Sequence, residues 1–427
     1  MHHSRSSGLC LLLALLPVAQ LAAADVPPPR DGLIASPEPG WPQWRGPRRD
    51  GVSDERGLLP SWPAAGPKLV WKLGELGQGW SSPIVVGKTL FITGDVGDHL
   101  VIFAFDRDGR LKWRVKNGPA WKGSYPGARV CCAYADGQLY HINAHGRLAC
   151  LEAASGKELW ADDMLRRFQA ENITWAVSEC LLVDGPRVLV TPGGKQALMA
   201  ALDRRTGQTV WTTPPLGEDR ATYSSPILFR YAGRRFVANC TSTHGFGVEA
   251  DTGKLAWTLP LRNRHEVTVA TPVYGDGALF YATPDGPNGQ LHRLLVRGAD
   301  THVEQAWGTV LDPLTGGAVL VDGTLYGSGY RKFKHWFVVD WKSGVTKSEL
   351  KDLTTGAATY ADGRLYCLAE DGRAALLKPT QDGLEIVGQM PLVADKVRDA
   401  WAHPVLLDGR LYLRYHDSLW CYDVRAT

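Results

Sequence analysis

One phrase returns at near-regular intervals along this chain, and it constrains the fold more than any other feature. An apolar run ends in an acidic or small residue, the chain turns at Gly, and Trp follows four residues later. The copies are Ala104-Phe105-Asp106 with Gly109 and Trp113, Leu151-Glu152-Ala153 with Gly156 and Trp160, Leu202-Asp203 with Gly207 and Trp211, and Val248-Glu249-Ala250 with Gly253 and Trp257. These tryptophans stand 47, 51 and 46 residues apart, Trp307 follows 50 residues later, and Ser348 and Val387 take the place of Trp after Gly344 and Gly383. A second phrase is interleaved: a small residue and Pro, an apolar run, a tight turn, and another apolar run. It starts at Ser82-Pro83, Cys131-Cys132, Glu179-Cys180, Ser225-Pro226, Thr271-Pro272, Gly317-Ala318, Ala357-Ala358 and His403-Pro404. Asp-Gly at 136–137, 276–277, 322–323, 362–363 and 408–409 joins alternating apolar runs, which is hairpin chemistry.

Each repeat therefore supplies three hairpin-linked strands and a fourth that carries the Trp. Units of roughly 40–50 residues with four strands are propeller blades, and the runs are too short and too rich in Gly for a helical solenoid. The expected fold is all-β, an eight-bladed β-propeller of four-stranded antiparallel blades. The eighth blade runs out at Thr427 before a fourth strand, and Leu69-Val70-Trp71-Lys72, in phase with the repeat, is expected to complete it. Such closure removes the open sheet edges.

The chain begins with a processing pattern. Arg5 precedes an apolar run from Leu9 to Leu21, and Ala22-Ala23-Ala24 gives the small residues of a cleavage site. Residues 1–24 are expected to be a signal peptide of the Sec type, cleaved near Ala24, with the mature protein periplasmic or secreted. Residues 25–68 read as an irregular Pro/Gly-rich lead-in lying across the outside of the ring, and 69–427 as the propeller domain. No second apolar run is long enough for a transmembrane segment. A net charge of +3 without a clustered basic stripe excludes nucleic acid as an expected partner. Beyond residue 24 there are seven cysteines and no CxxC spacing; their apolar surroundings predict buried thiols.

The Gly-x-x-x-Trp phrase resembles the tryptophan docking motif of the pyrroloquinoline quinone (PQQ) quinoprotein propellers, and the resemblance covers residues 69–427. Trp41-Pro42-Gln43-Trp44-Arg45-Gly46-Pro47 and Ala400-Trp401-Ala402-His403-Pro404 resemble a bacterial subfamily of exported PQQ-like propellers. Similar repeats build the propeller lipoprotein of the outer-membrane β-barrel assembly machine. The resemblance implies two roles: a non-catalytic module that binds a protein partner or a glycan-like extracellular ligand, or a PQQ-dependent dehydrogenase that uses calcium to oxidise alcohols or sugars.

The resemblance also implies what the second role needs: an adjacent-cysteine disulfide against the quinone, calcium held by Glu, Asn and Asp, and an Asp base. Cys131-Cys132 offers the disulfide, but strand neighbours point to opposite faces. Their Cα atoms are about 3.8 Å apart, short of the roughly 4.4–6.8 Å that disulfides span. Glu179, Asn239 and Asp276 have suitable types for the metal, yet Asp276 is already a hairpin-turn residue. His141 and His145 alternate along one run without a third ligand. Gly87-Lys88-Thr89 lacks the first Gly and the helix of a phosphate loop. PQQ with calcium is therefore the disfavoured cofactor, and no catalytic or metal residue is assigned.

The residues opening the innermost strands should ring one mouth of the channel. Among them Trp80, Arg129, Glu179, Tyr223, Trp401 and His403 depart from the small or β-branched types that the repeat itself prefers. Aromatic residues mixed with a few charges furnish ligand and partner sites. These six are the expected binding residues, and the first of the two roles is the expected one.

Overall fold

The computed structural model describes residues 1–3 and 30–426; most of the expected signal peptide, including its cleavage site, lies outside that range. Eight four-stranded antiparallel sheets follow one another along the chain. Blade 1 consists of Ile84–Val86, Thr89–Val96, His99–Asp106 and Leu111–Pro119, and blades 2 to 7 repeat the same meander up to Pro391. Among the described residues, α-helix is confined to Met164–Arg167. Blade 8 takes three strands from Val405–Leu407, Arg410–Tyr415 and Ser418–Asp423, and its outer strand, Lys68–Leu73, comes from the other end of the propeller. Lys68 pairs with Asp423, Trp71 with Cys421 and Leu73 with Leu419, so the ring closes as the repeat phase requires.

The repeated Gly and Trp have one joint function. A Cβ placed on Gly156 would lie 2.8 Å from the ring of Trp113, and one on Gly207 would lie 2.9 Å from Trp160. Each Gly receives the indole of the blade before it, while its own blade's Trp reaches forward to the next. Both glycines also adopt positive φ, 75° and 72°, which a side chain would strain. The indole N–H then donates across the interface, from Trp113 to the Ala153 carbonyl at 3.1 Å and from Trp160 to the Arg204 carbonyl at 3.0 Å.

The lead-in departs from its expected place. Only its end crosses the outside, where the amides of Leu59 and Trp62 donate to the carbonyls of Val424 and Val387. Residues 32–53 thread the central channel. Gly32–Leu33 adds to the inner edge of blade 4, pairing with Arg230 and Phe229. Trp41 exchanges two backbone bonds with Val85 of blade 1, and the Pro42 carbonyl accepts from Tyr134 of blade 2. The Arg49 guanidinium donates to the carbonyls of Cys180 and Leu181 in blade 3 and of Pro226 in blade 4. Trp44 donates to Thr271 of blade 5, Arg45 to the Ala318 carbonyl of blade 6, and Ser53 to the Leu406 carbonyl of blade 8. In blade 7, Tyr360 donates to Gly51 and accepts from Ser53 through its backbone. The segment thus touches the innermost strand of all eight blades. A ring of inner strands exposes backbone groups to the channel, and a polar, irregular segment satisfies them where a regular strand could not.

Candidate functional site

Each innermost strand runs from one mouth of the channel to a hairpin turn at the other end. The lead-in bonds at Val85, Tyr134 and Tyr360, close to those turns, and so seals that end. What remains is a blind cup at the mouth. Its floor is Trp44 and Arg45 from the lead-in together with His403, whose ring lies 4.4 Å from that of Trp44.

The walls come from the strand openings. Trp80, Arg129, Tyr223, Trp401 and His403, all expected at the mouth, line the cup; Glu179 does not. Blade 3 is out of register by one residue with the reading made from the sequence. The Cys131 amide donates to Cys180 Sγ at 3.3 Å, the Cys180 amide to Ser225 Oγ at 2.9 Å, and the His403 amide to Ser82 Oγ at 2.8 Å. Cys180 therefore occupies the position of Ser82, Cys131, Ser225 and His403, with Leu181 in the place of Pro. A one-residue slip sends a strand side chain to the opposite face. Ser178 and Cys180 face the cup, and Glu179 turns away into the wall.

There Glu179 is buried, accepting from the Thr191 amide at 2.7 Å, from Thr191 Oγ1 at 2.6 Å and from Asn239 Nδ2 at 3.2 Å. Burial raises its pKa to about 7, against the lowering effect of these hydrogen bonds and of Arg49. His403, buried beside the Arg45 cation, is held down to about 3 and is neutral.

One side of the cup is an aromatic belt. Trp80 and Trp401 lie 4.9 Å apart at 30°, Trp401 and Tyr125 5.4 Å at 39°, Tyr125 and Trp175 6.4 Å at 81°, and Trp175 and Tyr223 5.6 Å at 46°. The belt is fixed from behind. Trp80 donates to the Asp399 carbonyl and Trp401 to Glu370, each at 2.9 Å. Burial and the neighbouring Asp399 raise Glu370 to about 7. The facing side mixes Asn263, Asp285, Thr315 and Arg331 with the apolar Val267, Val269 and Leu314 and with Tyr330. Tyr125, Trp175, Arg331 and the two floor residues Trp44 and Arg45 were not expected from the repeat, because they stand in loops and in the lead-in. The motif Trp41 to Pro47 was the only signal that pointed to the last two.

The donor set for a cation-bound quinone is not assembled. Glu179 and Asn239 do meet, but Glu179 is engaged with Thr191, and Asp276 occupies a hairpin turn with φ of 49°. Calcium takes six to eight oxygens, and among the described residues no three His, Cys, Asp or Glu side chains are grouped to share a metal ion. Cys131 and Cys132 are buried free thiols. His141 is buried and held down to about 3, with Nδ1 2.9 Å from Asn117 Nδ2, while His145 Nε2 faces the Ala120 carbonyl. The two histidines share no ligand.

A family model described as outer membrane protein assembly factor BamB matches residues 98–344. The chain belongs to that family. The BamB of Yersinia pestis is 21% identical over 313 residues, covering 69% of this chain and 70% of that protein. The structure of BamB from Moraxella catarrhalis covers 85% of this chain and 99% of its own, with a TM-score of 0.59 at 14% identity, which shows the fold alone. The 1-butanol dehydrogenase (quinone) of Thauera butanivorans is 27% identical over 164 residues, 34% of this chain, and the match spans 26% of that enzyme's length. BamB-type propellers and quinone dehydrogenases therefore share this chain's repeat. No helix among the described residues is long and apolar enough to cross a membrane.

Proposed function

We propose that this chain is an exported, non-catalytic binding propeller whose plugged cup receives a protein partner or an extracellular ligand at the mouth. One observation carries the reading: an aromatic belt lines a blind cup whose opposite wall mixes polar and apolar side chains, and the nearby carboxylates are committed elsewhere. Glu179 is turned into the wall, Glu370 braces Trp401, and Asp285 pairs with Arg331 at 2.5 Å. A general base needs a proton acceptor within reach of its substrate, and these three are spent on positioning. The similarity to BamB supports a role in which the surface, not a reaction, is used. Export is part of the proposal: intact-mass analysis of material secreted by a bacterial host is expected to show an N-terminus at Asp25.

The second reading, a PQQ-dependent dehydrogenase, is favoured by the match to 1-butanol dehydrogenase (quinone). Quinone chemistry needs a protein that orients and polarises the cofactor. Purified protein is incubated with PQQ and calcium, then followed by quinone absorbance, thermal shift and dye-linked alcohol oxidation. The proposal predicts no calcium-dependent spectral change and no dye reduction. Saturable dye reduction that requires both additives would establish the dehydrogenase reading instead.

A further inference from the structure

We propose that the occupant of the cup is an acidic saccharide of the uronic-acid type, its ring laid on the aromatic belt and its carboxylate directed to the guanidinium groups of Arg45 and Arg129. This rests on the binding role proposed above and names the class of ligand. The two sides of the cup differ in chemistry, and that difference selects the ligand. A flat aromatic ligand buries two apolar faces and calls for two parallel plates. The belt instead presents rings tilted to one another by 30° to 81°, and the wall facing it carries Asn263, Asp285, Thr315 and Arg331 among Val267, Val269, Leu314 and Tyr330. A pyranose ring has one face of polarised C–H groups that packs on the negative face of an aromatic ring. Its other edge carries hydroxyls that need donors and acceptors.

The charge requirement comes from the arginines. Three arginines are almost fully buried: Arg45, Arg49 and Arg414. Arg49 and Arg414 use Nε and both terminal nitrogens on backbone carbonyls and nearby polar side chains, and both are explained by the fold. Arg45 differs. Its Nη2 is bound to the carbonyls of Asp50 and Ala318, while Nε and Nη1 have no partner among the described residues. Burial lowers its pKa only to about 10, so it stays a cation at neutral pH. A buried cation with two of its three nitrogens unpartnered is costly, and this one stands at the floor of a ligand cup. On the wall, Arg129 bonds through all three nitrogens to the carbonyls of Tyr125, Gly127 and Trp175, but it lines the cup and makes no ion pair among the described residues. Arg331 already has Asp285. Two guanidinium groups without carboxylate partners thus flank a belt that accepts a sugar face, and a carboxylate supplies the bidentate acceptor that guanidinium matches.

The test titrates the intact protein with trigalacturonic acid, its methyl ester, a mannuronate trimer and 2-naphthoate, read by tryptophan fluorescence and calorimetry. Expected are quenching and saturable binding by at least one uronate trimer, at least tenfold tighter than the uncharged ester, weakening between 50 and 500 mM salt (on the order of a threefold drop in screening length). Arg129→Met should abolish the preference over the ester, and Trp401→Ala should weaken acid and ester alike. Because Arg129 also holds two loops, each variant's melting temperature is recorded, and the salt dependence of the unaltered protein stands as an independent reading. Binding of naphthoate without either uronate overturns the saccharide class while leaving the cup a binding site. No binding of either uronate, or equal binding of acid and ester, also overturns it. PQQ- and calcium-dependent dye reduction would instead remove the underlying binding role.

Discussion

Glu179 shows how much hangs on a single residue of register. In every other blade but blade 4 the first residue of the turn stands five places after the cup-facing residue: Gly87 after Ser82, Asp136 after Cys131, Asp276 after Thr271 and Asp408 after His403. Counting back five from Gly185 reaches Cys180, so the register of blade 3 was present in the chain. It was hidden because blade 3 has Leu181 where four other blades have Pro, and Gly185-Pro186 where five have Asp-Gly. The displaced carboxyl makes a prediction of definite sign. Its folded pKa, about 7, lies above the ordinary glutamate value of 4.5, so the folded state holds the proton more tightly than the unfolded chain. Stability from this group is then full below the unfolded value and is lost as pH rises through about 7. The loss is on the order of 3 kcal/mol at most, at about 1.4 kcal/mol per unit. Glu179→Gln keeps an acceptor for the Thr191 amide, and with the Asn239 amide flipped it can donate to Oδ1, which has no partner among the described residues. Melting curves from pH 5 to 8 should show the variant overtaking the parent above neutrality and sloping less. Some slope stays, because Glu370 and Asp95 are also raised by burial. Identical slopes for parent and variant would show that Glu179 is ionised throughout.

Strands and turns were far more legible than the segment that fills the channel. The Gly-x-x-x-Trp phrase is a statement about packing between neighbours, because the Gly that admits one blade's indole and the Trp that enters the next blade are both side-chain choices. Each blade repeats them, and the closing strand was found by the same phase. Deleting Leu69 to Lys72 should lower the melting temperature of the whole ring in one transition, since neighbouring blades share their faces. Trp71→Ala, at a half-buried indole that donates to the Arg107 carbonyl, should cost about 2–4 kcal/mol. A deletion variant that melts like the parent would mean that Lys68–Leu73 does not close the ring. The lead-in, by contrast, holds to the inner strands largely through backbone groups: Trp41 with Val85, Pro42 with Tyr134, Gly51 and Ser53 with Tyr360. Backbone pairing leaves no pattern in side chains, and no repeat exists for it to match. Only the side chains of Trp44, Arg45, Arg49 and Ser53 mark it, and the inner-strand partners of these lie between 131 and 353 residues away along the chain.

At the scale of the molecule, the plug turns a ring with a channel into a cup with one open face. A propeller without it would offer two mouths and a tube of backbone edges; with it, the turn end is sealed and the mouth has a floor. The aromatic belt and the mixed wall facing it then belong to a single concave surface, which is where the proposed role has a ligand or partner enter. The outer strands offer a contrast, with scattered exposed apolar residues such as Val345 that form no such surface. A photo-crosslinking amino acid, benzoylphenylalanine, can be installed at Tyr223 on the cup wall or at Val345 on the outer face, in the exported protein within its own envelope. After irradiation, purification and intact-mass analysis, a discrete adduct is expected from position 223, lost when Trp401→Ala is added, and none from position 345. Adducts from position 345 with none from 223 would place binding on the outside of the ring and contradict it.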